Sequence, residues 1–161
     1  MAWSGSSIFR AYVSDIVNNT TAMDWVDDAT VKCVLYDNDI TPDNDVTAAN
    51  SAYNAGQWTA SGNEVADGTE WDAAGEPVTG RAINLTADTI TMDATDTPSG
   101  GSSATLANVY GDLIYDDTIA SPVADQGFCY NYFGGTNSVT DGVFTVIYHA
   151  NGVYRLTVTQ A

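Results

Sequence analysis

The first hydrophobic pattern along the chain has the period of an α-helix. After Ser6 and Ser7, either of which can cap a helix, apolar residues recur in pairs every four positions: Ile8, Phe9, Tyr12, Val13, Ile16 and Val17. This spacing puts them on one face of a helix. Asn18 and Asn19 follow as its end. The pattern predicts one short N-terminal α-helix and no other convincing helix.

Most of the remaining pattern is typical of strands separated by turns. In 30–36 the apolar residues Val31, Cys33 and Leu35 alternate with Lys32, Val34 and Tyr36, which predicts a core strand. Asn151-Gly152 lies between two alternating runs, and this pattern is the strongest short-range signal for a hairpin. Further strands are predicted as a pair within 81–94, at 108–115 and 127–133, and as the two arms of the hairpin, 143–149 and 153–159. We therefore predict a mainly β fold, a single-domain β-sandwich or small barrel over residues 1–161.

Residues 46–80 have no regular period and are rich in Gly, Ala, Asn and Asp. Tyr53, Trp58 and Trp71 are isolated aromatic residues in this stretch. An irregular segment of this length in a small domain is usually functional or held by a partner. The pattern predicts a long loop fixed by its aromatic side chains.

The charge balance excludes several partners. The chain has 21 acidic residues against four Lys and Arg, for a formal net charge of −17. Four scattered cations cannot form the basic patch that nucleic acid or an anionic membrane requires. No apolar run approaches the roughly 18 residues of a membrane span, and the N-terminal sequence lacks the pattern of a secretory signal. We expect a soluble protein made in a cytoplasm.

The segment "YDNDITPDND" (36–45) has aspartates at alternate positions, as in a calcium loop. Counted from Asp37, it has Pro42 where an EF-hand loop needs Gly and Ala48 where it needs a bidentate Glu. Pro42 instead favours a turn. We predict a solvent-facing acidic turn and no metal site, with weak cation binding at Asp37–Asp45 left open.

The sequence offers little for catalysis. His149, the single histidine, precedes a tight turn and has no recognisable nucleophile motif beside it. Glu64, Glu70 and Glu76 lie near Trp58 and Trp71 in sequence, which raises glycoside hydrolysis or sugar binding as hypotheses. With so many acids in the chain such proximity carries little weight. We predict no enzyme activity and no cofactor.

Cys33 and Cys129 both lie in apolar runs. No CxxC or Cys/His cluster points to zinc. The pattern favours two small buried side chains and leaves open whether they are paired.

A series of segments in order resembles small virion proteins of tailed bacteriophages, especially those infecting actinobacteria. The resemblance spans nearly the whole chain and rests on the following segments: MAWSGSS, VKCVLYD with ITPD, SAYNAGQW, NEV, GRA, NVYGDLIYDDT, PVADQGFCYNYFGG and FTVIYHANGVYRLTV. Each is a patterned strand or turn without a catalytic signature. The resemblance implies a structural component of the particle and carries over no active-site residue.

From this resemblance we expect a capsid decoration protein that binds the major capsid protein on the outside of the virion. We expect a homotrimer, assembled in the host cytoplasm. A minor tail or fibre-associated protein that binds carbohydrate or a host surface is the alternative. Aromatic and apolar residues often form the centres of interfaces. The predicted contacts lie in the N-terminal segment 1–19 and the 46–80 loop: Trp3, Ile8, Phe9, Tyr53, Trp58 and Trp71.

Overall fold

The computed structural model describes residues 3–20, 24–26 and 30–159. Residues 1, 2, 21–23, 27–29, 160 and 161 of the predicted domain lie outside the described residues. Within the described part the elements, in chain order, are β1 (Ser7–Ile8), α1 (Arg10–Asn18), β2 (Val31–Tyr36), α2 (Ala48–Ser51), β3 (Glu76–Pro77), β4 (Ala82–Thr86), β5 (Thr89–Asp93), β6 (Thr97–Pro98), β7 (Ala104–Asp116), β8 (Gly127–Gly142), β9 (Thr145–Val146) and β10 (Tyr154–Thr157). The predicted mainly β fold with a short N-terminal helix is confirmed.

The centre of the molecule is an antiparallel sheet of five strands in the order β1-β8-β7-β2-β3. Strand β2 pairs with β7 along its whole length, from Val31 opposite Asp116 to Tyr36 opposite Gly111. Side chains of β2 are buried on both faces, which explains its nearly continuous run of apolar residues. The sheet is open at β1 and β3, so the architecture is sandwich-like.

One face of the central sheet is covered by the N-terminal segment and the loop after β2. The Trp58 ring packs against Tyr36 at 5.2 Å and Tyr130 at 5.7 Å between centroids, and Phe9 packs against Tyr130 at 5.4 Å. Trp3 lies over Gly111, where an added Cβ would sit 2.5 Å from the indole. Glycine at this position therefore leaves room for the Trp3 indole and for the Asn131 carbonyl oxygen, which lies closer still to the same point.

The opposite face is covered by α1 and a small sheet of order β10-β5-β4. Tyr12 of α1 packs edge-on against Phe128 at 5.0 Å, and its hydroxyl lies 2.9 Å from that of Tyr154 on β10. Trp25 packs between the two layers, 5.5 Å from Phe128 and 5.5 Å from Tyr154. Aromatic edge-to-face contacts therefore join the layers, and these contacts stabilise beyond simple area burial.

The N-terminal helix begins later than its hydrophobic period predicts. Ile8 belongs to β1 and pairs with Cys129, and Phe9 is the extended residue that precedes the helix. The predicted end is confirmed, because Asn19 adopts the left-handed conformation (φ 52°) that closes many helices. Pairing with the edge of the central sheet takes Ile8 and Phe9 out of the helix.

The predicted C-terminal hairpin is wrong, although its turn forms. The Gly152 N–H donates to the His149 carbonyl oxygen at 2.7 Å, and Gly152 has a φ of 89°. The flanking strands then separate: β9 pairs with β6, and β10 pairs with β5 over four residues. Since β5 offers β10 a longer ladder on the existing small sheet, tertiary pairing overrides the local hairpin signal.

The other predicted strands are confirmed with longer or shifted bounds. The pair within 81–94 is the hairpin β4–β5, the strand at 108–115 lies in the C-terminal part of β7, and the strand at 127–133 is the first part of β8. Residues 46–80 are irregular as predicted, apart from α2 and β3. Residues 96–103, between β5 and β7, contain the short strand β6.

Candidate functional site

The structure places four of the six predicted contact residues inside the chain's own core. Trp58, Trp71 and Phe9 are fully buried, and Trp3 is 3% exposed. This is a correction, because side chains with no exposed surface cannot meet a partner in this conformation. They bury large aromatic area against the central sheet and make the covering segments part of the fold.

Ile8 and Tyr53, the other two predicted contacts, are half-buried. Tyr53 stacks on Tyr115 with centroids 4.9 Å apart, and its hydroxyl donates to Glu64 Oε2 at 2.9 Å. Burial and the neighbouring Glu64 raise the pKa of Tyr53 well above its usual range. Tyr53 therefore has an internal role, and Ile8 pairs within the sheet.

The hypothesis of sugar stacking on Trp58 and Trp71 fails for the same reason, since neither ring is accessible. The three glutamates near them bond to the loop backbone and to neighbouring side chains. Glu64 Oε1 accepts from the Ala74 N–H at 2.6 Å, and Glu76 Oε1 accepts from the Asp72 N–H at 2.9 Å. Glu70 Oε1 accepts from the Ser103 hydroxyl at 2.7 Å.

Asp67 is a structural centre of this loop that sequence reasoning missed. Its Oδ1 accepts from the backbone N–H groups of Thr69, Glu70 and Trp71 at 2.8–3.0 Å. Its Oδ2 accepts from the Thr105 N–H at 3.0 Å, which ties the loop to β7. These bonds hold the pKa of the Asp67 carboxyl well below its usual range.

A buried polar cluster lies within the central sheet. Asp112 is fully buried, and its Oδ1 accepts from the Asn131 backbone N–H at 3.1 Å and from Asn131 Nδ2 at 2.8 Å. The Cys33 thiol donates to Asp112 Oδ2 at 3.6 Å. Burial raises the pKa of Asp112 to about 7. Asp112 and Cys33 are closed to solvent, whereas Asn131 is half-buried.

Both cysteines are free and buried. They lie on β2 and β8, each opposite Ile114 of the intervening strand β7. Two strand spacings separate them by about 9.5 Å, too far for a disulfide. Burial raises the pKa of both thiols well above the usual value, so they behave as inert core side chains.

The acidic segment 37–45 forms two tight turns. Asp37 Oδ1 accepts from the Asp39 N–H and Asp43 Oδ1 from the Asp45 N–H, both at 2.9 Å. Asp45 also pairs with Arg10 at 2.6 Å, with both side chains about two-thirds exposed. Among the described residues no group of three or more His, Cys, Asp or Glu side chains is placed to hold a metal ion. The carboxylates shape the turns and face water.

One surface differs from this acidic exterior: an apolar face on the small sheet. The register places Ile83, Ile90, Met92, Tyr154, Leu85 and Leu156 on the same side of the three strands. Met92 and Tyr154 are buried, whereas Ile83 is 45% and Leu85 75% exposed. We call the outer part, formed by Ile83, Leu85, Ile90 and Leu156, the apolar sheet face. It runs from the core outward into solvent.

This face is free of charge. None of the residues 82–87 is acidic or basic, and the charged residues of the β4–β5 hairpin are Asp88 at its turn and Asp93 on the other side of β5. The other side of the same strands is polar, with Asn84, Thr91 and Arg155 in one row. β4 is also an edge strand of its sheet, and edge strands with exposed apolar residues favour association with another chain. This surface is the candidate site of contact with a protein partner.

The comparisons with known proteins add no family to this picture: no family model, no curated protein and no solved structure matches the chain. Among the described residues, no helix has both the length and the apolar character needed to cross a membrane. The candidate site therefore rests on the exposure and chemistry of the small sheet.

Proposed function

We propose that the chain is a bacteriophage virion structural protein, a decoration protein that binds the outside of an assembled major capsid protein lattice. The observation that carries the proposal is the apolar sheet face, with Leu85 75% exposed on a chain of net charge −17. A strongly acidic monomer repels its own kind. An uncharged apolar patch is where such a chain can meet a partner without that cost.

The distribution of features gives the proposed orientation. The acidic segment 37–45 is bonded to the layer on one face of the central sheet, through the Trp3 Nε1–H to the Asp37 carbonyl oxygen at 2.7 Å. The small sheet covers the opposite face. The apolar sheet face lies on the side of the small sheet that also carries the buried Met92 and Tyr154, so it borders the core. In the proposed orientation it meets the shell and the acidic turns face solvent.

The proposed mechanism is thermodynamic linkage. A protein that binds the assembled lattice, and not free or unfolded capsid subunits, stabilises the lattice by mass action. No catalytic group, cofactor or nucleic acid is involved. The rigid aromatic core supports this role, because a prearranged surface loses little conformational entropy on binding. The homotrimer expected from the sequence is part of the proposal.

The proposal is tested by co-sedimentation of the chain with empty capsid shells of the same phage. Leu85→Asp should weaken shell binding about tenfold or more, since a buried leucine contributes roughly 1.5–3 kcal/mol. The wild-type chain should also raise the melting temperature of the shells.

Asn84→Asp is the matched control, because it adds the same charge to an exposed residue on the opposite side of the same strand. It should bind nearly as the wild type does. Equal binding by Leu85→Asp would remove the assigned surface. If the chain does not bind shells but sediments with phage tails, the result would instead support the minor tail or fibre-associated alternative.

A further inference from the structure

A cleft of about 450 Å³ lies beside the part of β8 that β1 does not pair with, and none of the four residues of the apolar sheet face lines it. One wall comes from residues 131–137 of β8 and the other from residues 144–153, the segment of the incorrectly predicted hairpin. The volume falls within the roughly 300–1,000 Å³ of small-molecule sites. Four aromatic side chains line the cleft: Tyr132, Phe133, Phe144 and Tyr148.

The buried tryptophans hold two of these rings in place. Trp3 stacks behind Tyr132 with centroids 6.3 Å apart and planes 16° from parallel. Trp71 packs edge-on against Phe144 at 5.8 Å and 89°. Because both tryptophans are locked in the core, the cleft walls are formed before any ligand arrives. Two of the residues expected from the sequence to contact a partner thus act as supports.

Polar groups lie between the rings and are oriented by their own hydrogen bonds. His149 Nδ1 accepts from the Asn151 N–H at 3.0 Å, which leaves the proton of the neutral ring on Nε2 as a donor. Asn131 Nδ2 donates to Asp112. Oδ1 of the same carboxamide takes no part in this bond and can serve as an acceptor. Asn137 Nδ2 donates to the Gly135 carbonyl oxygen at 3.0 Å and is oriented in the same way.

The cleft is uncharged although the chain is strongly acidic. Among the described residues, its lining contains no Asp, Glu, Lys or Arg. Without Lys or Arg it has no partner for a phosphate or a carboxylate, and without a lining carboxylate it has none for a cation. The surrounding charge of −17 further disfavours anions.

We propose that this cleft is a binding site for a neutral glycan. A sugar ring has an apolar C–H face, which suits an aromatic ring, and a rim of hydroxyl groups, which suits carboxamides and a neutral imidazole. Phe133 supplies a stacking surface, and His149 Nε2 and Asn131 Oδ1 supply a donor and an acceptor. The inference does not depend on the proposed attachment to a capsid.

The test is binding of the purified full chain to an immobilised array of neutral and acidic oligosaccharides, followed by calorimetry with each neutral glycan that is retained. Neutral glycans should be retained and sialylated or uronic-acid glycans should not. Phe133→Ala should lower the affinity at least tenfold. His149→Ala, a change at an exposed turn residue, should lower it about three- to tenfold without affecting folding.

Ile90→Ala truncates a half-buried side chain outside the cleft and is the control for general destabilisation. It should leave glycan affinity unchanged, as should Leu85→Asp. An array with no retained neutral glycan would overturn the proposal. So would binding that survives both Phe133→Ala and His149→Ala, or binding of acidic glycans alone. None of these three outcomes would affect shell binding, so the two proposals can fail separately.

Discussion

Asp112 places a carboxyl group in the interior of the central sheet, where it is fully buried. The two donated bonds from Asn131 and the Cys33 thiol give the carboxyl its partners. Desolvation is the largest effect on its pKa and raises it to about 7, whereas the hydrogen bonds from Asn131 and Cys33 lower it. Asp112 is therefore the residue through which the fold should respond to pH near neutrality.

The sign of that response follows from linkage. The folded chain binds the Asp112 proton more tightly than the unfolded chain, whose carboxyl has an ordinary pKa of about 3.9. The protonation of Asp112 therefore stabilises the folded chain fully below about pH 4, and this contribution is lost as the pH rises to about 7. Asp112→Asn should remove this part of the pH dependence while retaining an acceptor for Asn131.

Urea unfolding of both proteins between pH 4 and pH 8 measures the difference. The free energy of unfolding of the wild type should fall relative to that of Asp112→Asn across this window. Asp141→Asn removes an exposed carboxylate and should leave the wild-type profile in place. Parallel profiles for wild type and Asp112→Asn would contradict the assignment.

At the scale of elements, the loop between β2 and β4 is held by carboxylates as well as by aromatic rings. Asp67 receives four backbone N–H bonds and connects the turn at 67–71 to the start of β7. Trp71, which follows directly, is buried against Phe144 of the cleft wall. The loop therefore links the central sheet to the cleft.

Asp67→Ala should lower the free energy of unfolding at pH 7 by about 1–2 kcal/mol, the typical cost of unsatisfied backbone donors. Because the folded pKa of Asp67 is lowered, the contribution of its charge is present above about pH 4 and is lost as the pH falls below that value. Denaturation at pH 7 and pH 3 should show the difference from wild type shrinking. Asp72→Ala removes an exposed carboxylate of the same loop and should have little effect on the free energy of unfolding. An equal loss of stability in both variants would contradict a specific role for Asp67.

Elements with their own local period could be predicted from the sequence. The alternation in 30–36 and the paired runs in 81–94 gave β2 and the β4–β5 hairpin, because these patterns match a strand that packs on one or both faces. The turn at Asn151-Gly152 was also predictable. The pairing partners of its flanking strands were not predictable, since β6 and β5 lie roughly fifty to seventy residues away from β9 and β10 along the chain.

The sites were harder to predict than the strands. An isolated tryptophan in a polar loop has the same local sequence whether it faces a partner or the core, and Trp58 and Trp71 face the core. The cleft is assembled from two separate segments. Its signal in the sequence was the density of aromatic and carboxamide residues in 131–149, a range that contains no Lys, Arg or Glu and has Asp141 as its only acid.

At the scale of the whole molecule, charge and burial divide the surface into distinct parts. Acidic turns at 37–45 lie with the layer on one face of the central sheet, and the uncharged apolar sheet face belongs to the layer on the other. If a chain of net charge −17 attaches through an uncharged patch, its acidic residues remain exposed to water. This arrangement gives the proposed decoration protein a defined inner and outer side.

A map of the intact particle, even at low resolution, tests the central proposal most directly. We expect density for this chain on the outer surface of the capsid shell, in groups of three copies, with the apolar sheet face toward the shell and residues 37–45 outward. Density for the chain in the tail, inside the shell or nowhere on the particle would contradict it.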